Sequence, residues 1–438
     1  MLSKQDNELL TRVGRGTPMG DVLRQYWLPL LLTEELSKKD GNPLRVRVLG
    51  ENLIAFRDTQ SQVGLVAANC PHRGASLFFG RNEECGLRCV YHGWKFDVSG
   101  QCVDMPNEPP ESNFKDKIRA VSYPCRERNG VIWAYMGPLE VPPELPALEW
   151  NLVRETQRYI SRRYEECNWA QALEGGIDSS HSGFLHSHLF EDQDGPEFRK
   201  GMDIKKRDKH PRFEVVDTDY GVLVGARRDA DNDHFYWRIT QFLMPFHTMI
   251  PPYGVSPTIS GHAWVPIDDE NTMAWTVTWH PLRLLNEQEL NRMRNGWGLH
   301  LGLDTLAPET SEAGSGWRPK AHKGNDYLLD YERQRTKEFT GLPGVAIQDQ
   351  AMQESMGPIY DRSKEHLGAS DTGIIQVRRR WLKAATALRD AGVTPTGVSA
   401  PESYRVRSAA VILPRDVSWV EGAQDHLQGR EGVHLDSV

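Results

Sequence analysis

The chain has 438 residues, with 52 Lys and Arg against 60 Asp and Glu and a formal charge of −8. That balance gives no footing on nucleic acid or an anionic membrane surface, while 39% apolar and 26% charged residues describe an ordinary globular chain with a core to bury. The longest apolar runs, such as residues 28–32, fall far short of the ~20 residues of a membrane span. The first ten residues lack the basic and apolar regions of a signal peptide. Six cysteines are too few for a disulfide scaffold, and a reducing, cytoplasmic setting suits them.

Residues 1–42 read as helical, with Ser3 and Asp6 at capping-box spacing and Thr17-Pro18 opening a second helix. Gly41-Asn42-Pro43 then changes the period. Over 43–147, short runs rich in Val, Ile, Phe, Trp and Tyr at 44–49, 52–57, 63–68, 94–98 and 131–136 predict a small antiparallel β domain. Four prolines in 138–146 close it as a linker. The third stretch, 148–438, mixes strands expected at 157–163, 212–217, 221–227, 234–243, 259–265 and 272–279 with helices at 168–175, 284–300, 322–334, 345–356 and 372–391. The last of these is capped by Asp371 and stopped by Gly392. The tail from Val393 reads as irregular. The fold class is α+β: an antiparallel β domain, then a larger domain with an antiparallel sheet flanked by helices.

Inside the β domain stand Cys70-Pro71-His72 and, sixteen residues later, Cys89-Val90-Tyr91-His92-Gly93-Trp94. A Rieske [2Fe–2S] centre needs two thiolates on one iron and two imidazoles on the other. Zinc accepts the same donors, but zinc fingers pair Cys with Cys and His with His along the chain. Here each loop supplies one of each. Cys85, four residues before Cys89, could mimic a ligand pair but has no second His beside it, and Cys102, Cys125 and Cys167 read as small buried hydrophobes. The motif resembles the Rieske domain of the Rieske-type non-haem iron aromatic-ring-hydroxylating oxygenases. The resemblance covers roughly residues 1–392, and TPMGDVLRQYW and ESMGPIYDRSKEHLGASD are similar to the phthalate dioxygenase-type branch.

Further along, Asn168 to Asp178 leads into Ser179-Ser180-His181 and His186. Two imidazoles and a carboxylate on one face of Fe(II) leave coordination positions open for O₂. Gly175, Gly176 and Gly183 argue against a continuous helix here. The resemblance implies an Asp on a distant helix as third ligand, and Asp349 within 347–354 matches it; Glu354 and Asp361 are the alternatives. It also implies that Asp178 links His181 to His92 of a neighbouring subunit, with Glu174 either supporting it or held in a structural salt bridge. The other histidines read as ordinary.

The substrate cavity is expected along Phe235-Tyr236-Trp237-Arg238, Phe242, Met244, Phe246 and Ile250, walls that suit an aromatic ring. A ring carboxylate wants an Arg fork. Arg207 is the first choice, with Arg227, Arg228 and Arg238 behind it. Gly14-Arg15-Gly16 with Gly20 has the wrong spacing for a dinucleotide fingerprint, so electrons are expected from a separate reductase, which the resemblance implies is an NADH-dependent flavin/iron–sulfur protein. The resemblance implies cis-dihydroxylation of an aromatic carboxylate, a phthalate isomer or substituted benzoate. Monooxygenation with O-demethylation, as in vanillate demethylase-type relatives, is the alternative, and a non-catalytic Rieske electron carrier a third reading. It further implies a homotrimer or homohexamer closed head to tail.

Overall fold

The computed structural model describes residues 1–187, 196–253 and 257–430, the side chains of 196–199 excepted. Helix Lys4–Thr11 starts where the Ser3 hydroxyl accepts the Asp6 N–H at 3.0 Å, and Pro18–Arg24 starts where Thr17 accepts from Gly20. The N-terminal stretch is not helical throughout. Trp27–Leu32, expected to be helical, is a fully buried strand paired antiparallel with Val131–Tyr135. A continuous apolar run fits a buried strand or a buried helix equally, and the tertiary partner decides.

Five strands of the β domain fall where the sequence predicted them, while Arg81–Glu83, Gly86–Arg88, Cys102–Asp104 and Cys125–Arg128 were not foreseen. Leu44–Val48, Glu51–Arg57 and Val63–Ala67 form one sheet, and Arg81–Glu83, Gly86–Arg88, Lys95–Phe96 and Cys102–Asp104 another. Strand Glu51–Arg57 is a shared wall. Its Leu53 and Ala55 pack into the main core, while Ile54 and Phe56 face a separate small core with Leu77, Leu87, Trp94 and Phe96. Period-2 alternation on one strand therefore divides two cores.

The larger domain is an antiparallel sheet in the order Arg158–Glu165, Thr272–Trp279, Ile259–Pro266, His247–Ile250, His234–Leu243, Gly221–Asp229 and Arg212–Asp217, with Ala409–Pro414 added beside His234–Leu243. Val277, Trp275 and Ala263 point to the side where Pro29, Leu148 and Trp150 lie. The alternate residues Ser260, His262, Trp264 and Thr278 look the other way, into a cavity. Helices Trp169–Ile177 and Gly344–Ser355 cover that second face.

Several elements differ from the sequence reading. Strands His247–Ile250 and Ala409–Pro414 and helix Pro196–Arg207 were not foreseen. The expected helix 284–300 is only Glu287–Arg294, because Gly296 follows at φ +84°. The one expected over 322–334 breaks at Asp326 and Tyr327, which sit at positive φ. Thr372–Ala391 ends as predicted, on Gly392 at φ +63°. Among the described residues no helix is long and apolar enough to cross a membrane.

Candidate metal centres and substrate cavity

The first centre is carried by helix Trp169–Ile177. Asn168 caps it by accepting the Ala170 N–H at 3.1 Å, while its own amide donates to the carbonyls of Thr11 and Asp269. The glycines at 175 and 176 do not break this helix. They let it sit tight, since a Cβ at 175 would lie 2.5 Å from Gln353 Nε2 and one at 176 would lie 3.0 Å from the Trp264 ring. The helix stops at Asp178, and a short turn over His181–Gly183 folds the chain back.

That turn brings His181 and His186 together and onto Asp349 of helix Gly344–Ser355. The two Nε2 atoms are 3.2 Å apart, and Asp349 Oδ1 lies 3.1 Å from His186 Nε2 and 3.6 Å from His181 Nε2. All three donor atoms fall within 4.8 Å of one another. This is the two-imidazole, one-carboxylate set that suits non-haem Fe(II).

The imidazoles are held from behind. His186 Nδ1 lies 2.8 Å from Gln348 Oε1, and Gln348 Nε2 donates to the Leu342 carbonyl at 3.2 Å. An amide oxygen can only accept, so Nδ1 carries the proton and Nε2 keeps its lone pair for a metal. His181 Nδ1 faces Asp178 Oδ2 at 3.4 Å, and Asp178 Oδ1 accepts the Ser180 N–H at 2.6 Å. The alternative carboxylates are engaged elsewhere. Glu354 accepts from the Glu166 N–H, the Gln350 amide and the Tyr327 hydroxyl. Asp361 holds Ser363 and Lys364 locally, and Glu174 is clamped by Arg362 and Arg378.

A cavity of about 260 Å³ opens beside this cluster, room for a single substituted ring. Of the wall expected from sequence, only Arg238 and Ile250 reach it. Phe242 packs edge-on against Trp381 at 5.3 Å, and Met244 and Phe246 are wholly buried core.

Two cations line the cavity, Lys205 and Arg238. Lys205 Nζ donates to the Tyr253 hydroxyl at 3.0 Å and to Ser182 Oγ at 3.1 Å. Arg238 donates to the Pro251 carbonyl at 2.7 Å, its guanidinium 4.1 Å from the Tyr253 ring centre. Arg228, close enough to repel Arg238, donates to the Asp208 carbonyl and has a buried Nη1 with no partner. Among the described residues no carboxylate forms an ion pair with any of the three. Burial first, then Arg238 and Arg228, push the Lys205 ammonium well below its usual range. Burial first, then Arg238, push Arg228 down to about 10.

The expectation for Arg207 needs correcting. It lies on the same helix as Lys205 but two residues on, about 200° around the axis. Its guanidinium is 56% exposed and holds Asp231 at 2.8 Å, outside the cavity. Of the run Lys205-Lys206-Arg207 it is the first member that turns inward.

Sequence reasoning also passed over His262 and His300. Both line the cavity, and burial pushes each down to about 3, so both are neutral. The alternation Ser260, His262, Trp264, polar on a face opposite an apolar one, was the available signal for His262; His300, on a loop, carried none.

The second centre sits on two matching loops of the β domain. The Cys70 N–H donates to the Ala75 carbonyl and the Gly74 N–H to the Cys70 carbonyl; Cys89 repeats both bonds with Trp94 and Gly93. Each loop closes through a glycine near φ +80°. Both cysteines are 2% exposed, while the imidazoles stand at the surface with ring centres 4.5 Å apart. His72 stacks on Trp94 at 4.3 Å, and the Trp94 indole N–H donates to Asn107. Two buried thiols beneath two outward imidazoles fit a Rieske cluster.

Comparison with known proteins agrees with this geometry. The Rieske [2Fe-2S] domain family matches residues 26–124, and the family described as LigXa C-terminal domain like matches 134–436. The chain is 40% identical over 435 residues to the 3-chlorobenzoate-3,4-dioxygenase oxygenase subunit of Comamonas testosteroni, covering 98% of this chain and 99% of that protein. It is also 40% identical over 431 residues to the phthalate 4,5-dioxygenase oxygenase subunit of Pseudomonas putida, covering 96% and 94%. The solved structure of dicamba monooxygenase bound to dicamba shares the fold, with a TM-score of 0.57 at 18% identity, covering 84% of this chain and 98% of that one. The α+β architecture, the donor sets and the full-length relatives together place this chain among the Rieske-type non-haem iron ring-hydroxylating oxygenases, as a terminal oxygenase subunit of the phthalate dioxygenase-like branch.

Proposed function

We propose that this chain adds both atoms of O₂ to the ring of an aromatic carboxylate, a phthalate isomer or substituted benzoate, to give a cis-dihydrodiol. The observation that carries the substrate class is the cluster Lys205, Arg228 and Arg238. Buried cations are costly unless paired, and none of these has a carboxylate partner among the described residues. An anionic ligand in the cavity supplies the missing charge. The names of the 40% identical relatives, a chlorobenzoate and a phthalate dioxygenase, agree.

Cys70, His72, Cys89 and His92 would hold the cluster, and His181, His186 and Asp349 the iron. When bound, the iron is the place where O₂ is activated and the cluster the place where electrons enter. The remaining work falls to the chain's own side chains. Gln348 and Asp178 keep the two Nε2 atoms aimed at one point. Lys205 and Arg238 fix the acid end of the substrate and so orient the ring, while Trp264, Ile250 and Val345 keep water from its faces. Electrons come from a separate NADH-dependent reductase. Asp178 is 23% exposed, which leaves it reachable by His92 of a second copy in a head-to-tail trimer or stacked pair of trimers.

The test is turnover of a benzoate and phthalate panel with NADH, a reductase and isotopically labelled O₂. A diol carrying two labelled oxygens is expected. A phenol formed by loss of a methyl group would instead favour the O-demethylase alternative, and a protein that holds a cluster but no further iron would favour the electron carrier.

A further inference from the structure

One wall of the cavity holds a chain of four hydrogen-bonding side chains that the reading above does not use. Ser161 Oγ lies 2.7 Å from His300 Nδ1. His300 Nε2 lies 2.9 Å from Thr278 Oγ1, and Thr278 Oγ1 lies 2.7 Å from Ser260 Oγ. Ser161, Thr278 and His300 are 2%, 4% and 2% exposed, whereas Ser260 is half-buried. His300, Thr278 and Ser260 line the cavity; Ser161 does not.

The direction of the protons follows from counting partners. The Ser161 side chain has no hydrogen-bond partner but His300 among the described residues. A buried hydroxyl proton without an acceptor is costly, so Ser161 donates and Nδ1 accepts. His300 is neutral, held down to about 3 by burial, so its one ring proton sits on Nε2 and is donated to Thr278. Thr278, having accepted, donates to Ser260. The Ser260 proton is then left over at the cavity end, and a chain polarised one way strengthens its terminal donor. The opposite direction would strand the Ser161 proton in the dry interior.

We infer that Ser260 is a specificity-determining donor, which selects aromatic acids bearing a second substituent with an acceptor oxygen, such as an ether, over acids with an apolar group in its place. The placement suits this. Ser260 pairs with Ile250 on the intervening strand His247–Ile250, level with Thr240, so Ser260 and Arg238 stand two strand spacings and two residues apart, about 12 Å at the backbone. An anion held by Arg238 and Lys205 and an oxygen held by Ser260 would pin a ring at two points. This inference rests on the aromatic-acid reading.

The experiment is isothermal titration calorimetry on the holoenzyme with the 2-, 3- and 4-methoxybenzoates, each against the ethylbenzoate of matching position. A methoxy oxygen can only accept, so it reports the direction of the chain as well as its presence. At least one methoxy acid should bind about tenfold more tightly than its ethyl partner, a difference of about 1.4 kcal/mol. Ser260→Ala should reduce that ratio to about twofold or less and leave the ethyl acid's Kd unchanged. A merely structural serine would weaken both members of a pair alike. Thr278→Val, which keeps the Ser260 hydroxyl but strips its polarisation, should fall between. Equal Kd values in all three wild-type pairs, or a ratio that survives Ser260→Ala, would overturn the inference while benzoate binding itself still stood. Failure of every benzoate to bind would remove the aromatic-acid reading and this inference together.

Discussion

Gln348 shows how one side chain behind a ligand can set the chemistry in front of it. Its amide oxygen fixes the tautomer of His186, and it is in turn anchored on the Leu342 carbonyl. Gln348→Leu keeps the bulk and leaves the His186 N–H unpartnered. Loss of such a supporting bond weakens metal affinity about 10–100-fold, so iron analysis after dialysis should show the mononuclear site emptied and the Rieske absorbance retained. Lys205 supports a second expectation at this scale, because its ammonium is held below the ordinary range. The unfolded chain binds that proton more readily, so between the lowered value and about 10.4 the unfolded state carries more protons and the wild type gains stability as pH rises. Affinity for benzoate runs the opposite way, falling over the same window as the cation is lost. Lys205→Met should raise the thermal midpoint by about 1–2 °C, roughly 1 kcal/mol of relief in a chain this size. It should also flatten the pH dependence of binding. A variant that melts lower and binds benzoate as before would contradict both halves.

Helix Trp169–Ile177 positions the His pair by being pressed between sheet and helix, and its glycines measure the fit. Gly176→Ala must displace Thr248 or Trp264, whereas Gly183, with nothing within 4 Å of a new Cβ, has room. Overpacking of this kind costs about 1–3 kcal/mol. Gly176→Ala should lower the melting midpoint and shed mononuclear iron, and Gly183→Ala should do neither. The same helix marks how far sequence reading reached. The long strands of the main sheet were legible because each carries its own run of β-forming residues, as in His234–Leu243 and Thr272–Trp279. His247–Ile250 was not, being four residues between Pro245 and Pro251. Helix Pro196–Arg207 hid behind its charges, and the inward cation was misplaced by two residues because helix phase there could not be read. The paired Cys and His loops and the His181/His186 pair stood out as short motifs, whereas Asp349 came only from the family resemblance. Gln348's bond to His186, the contacts of His300 and the lack of a carboxylate beside the buried cations among the described residues arise where distant parts of the chain meet, which no local pattern records.

At the scale of the molecule, the cluster loops and the His pair each sit beside exposed apolar side chains. Val90 and Tyr91 flank His92, both 58% exposed, and Phe184 beside the His pair is 51% exposed next to Phe339 at 55%. Such patches suit a contact between copies, as the proposed ring requires. Asp178→Asn preserves shape but removes the charge facing His181, so turnover should drop at least tenfold with both metals still bound. Serial dilution of the wild type below its assembly range should lower specific activity in step with the loss of trimer or hexamer on a sizing column. Activity independent of concentration, from a monomer, would rule the ring out. The shared strand Glu51–Arg57 has a different consequence. Since Ile54 and Phe56 serve a small core of their own while Leu53 and Ala55 serve the large one, the cluster loops can open without unzipping the rest. Damage to the cluster by oxidants should therefore age the protein locally: amide deuterium uptake would rise first over residues 70–75 and 89–94, while the amides of Thr272–Trp279 stay slow to exchange.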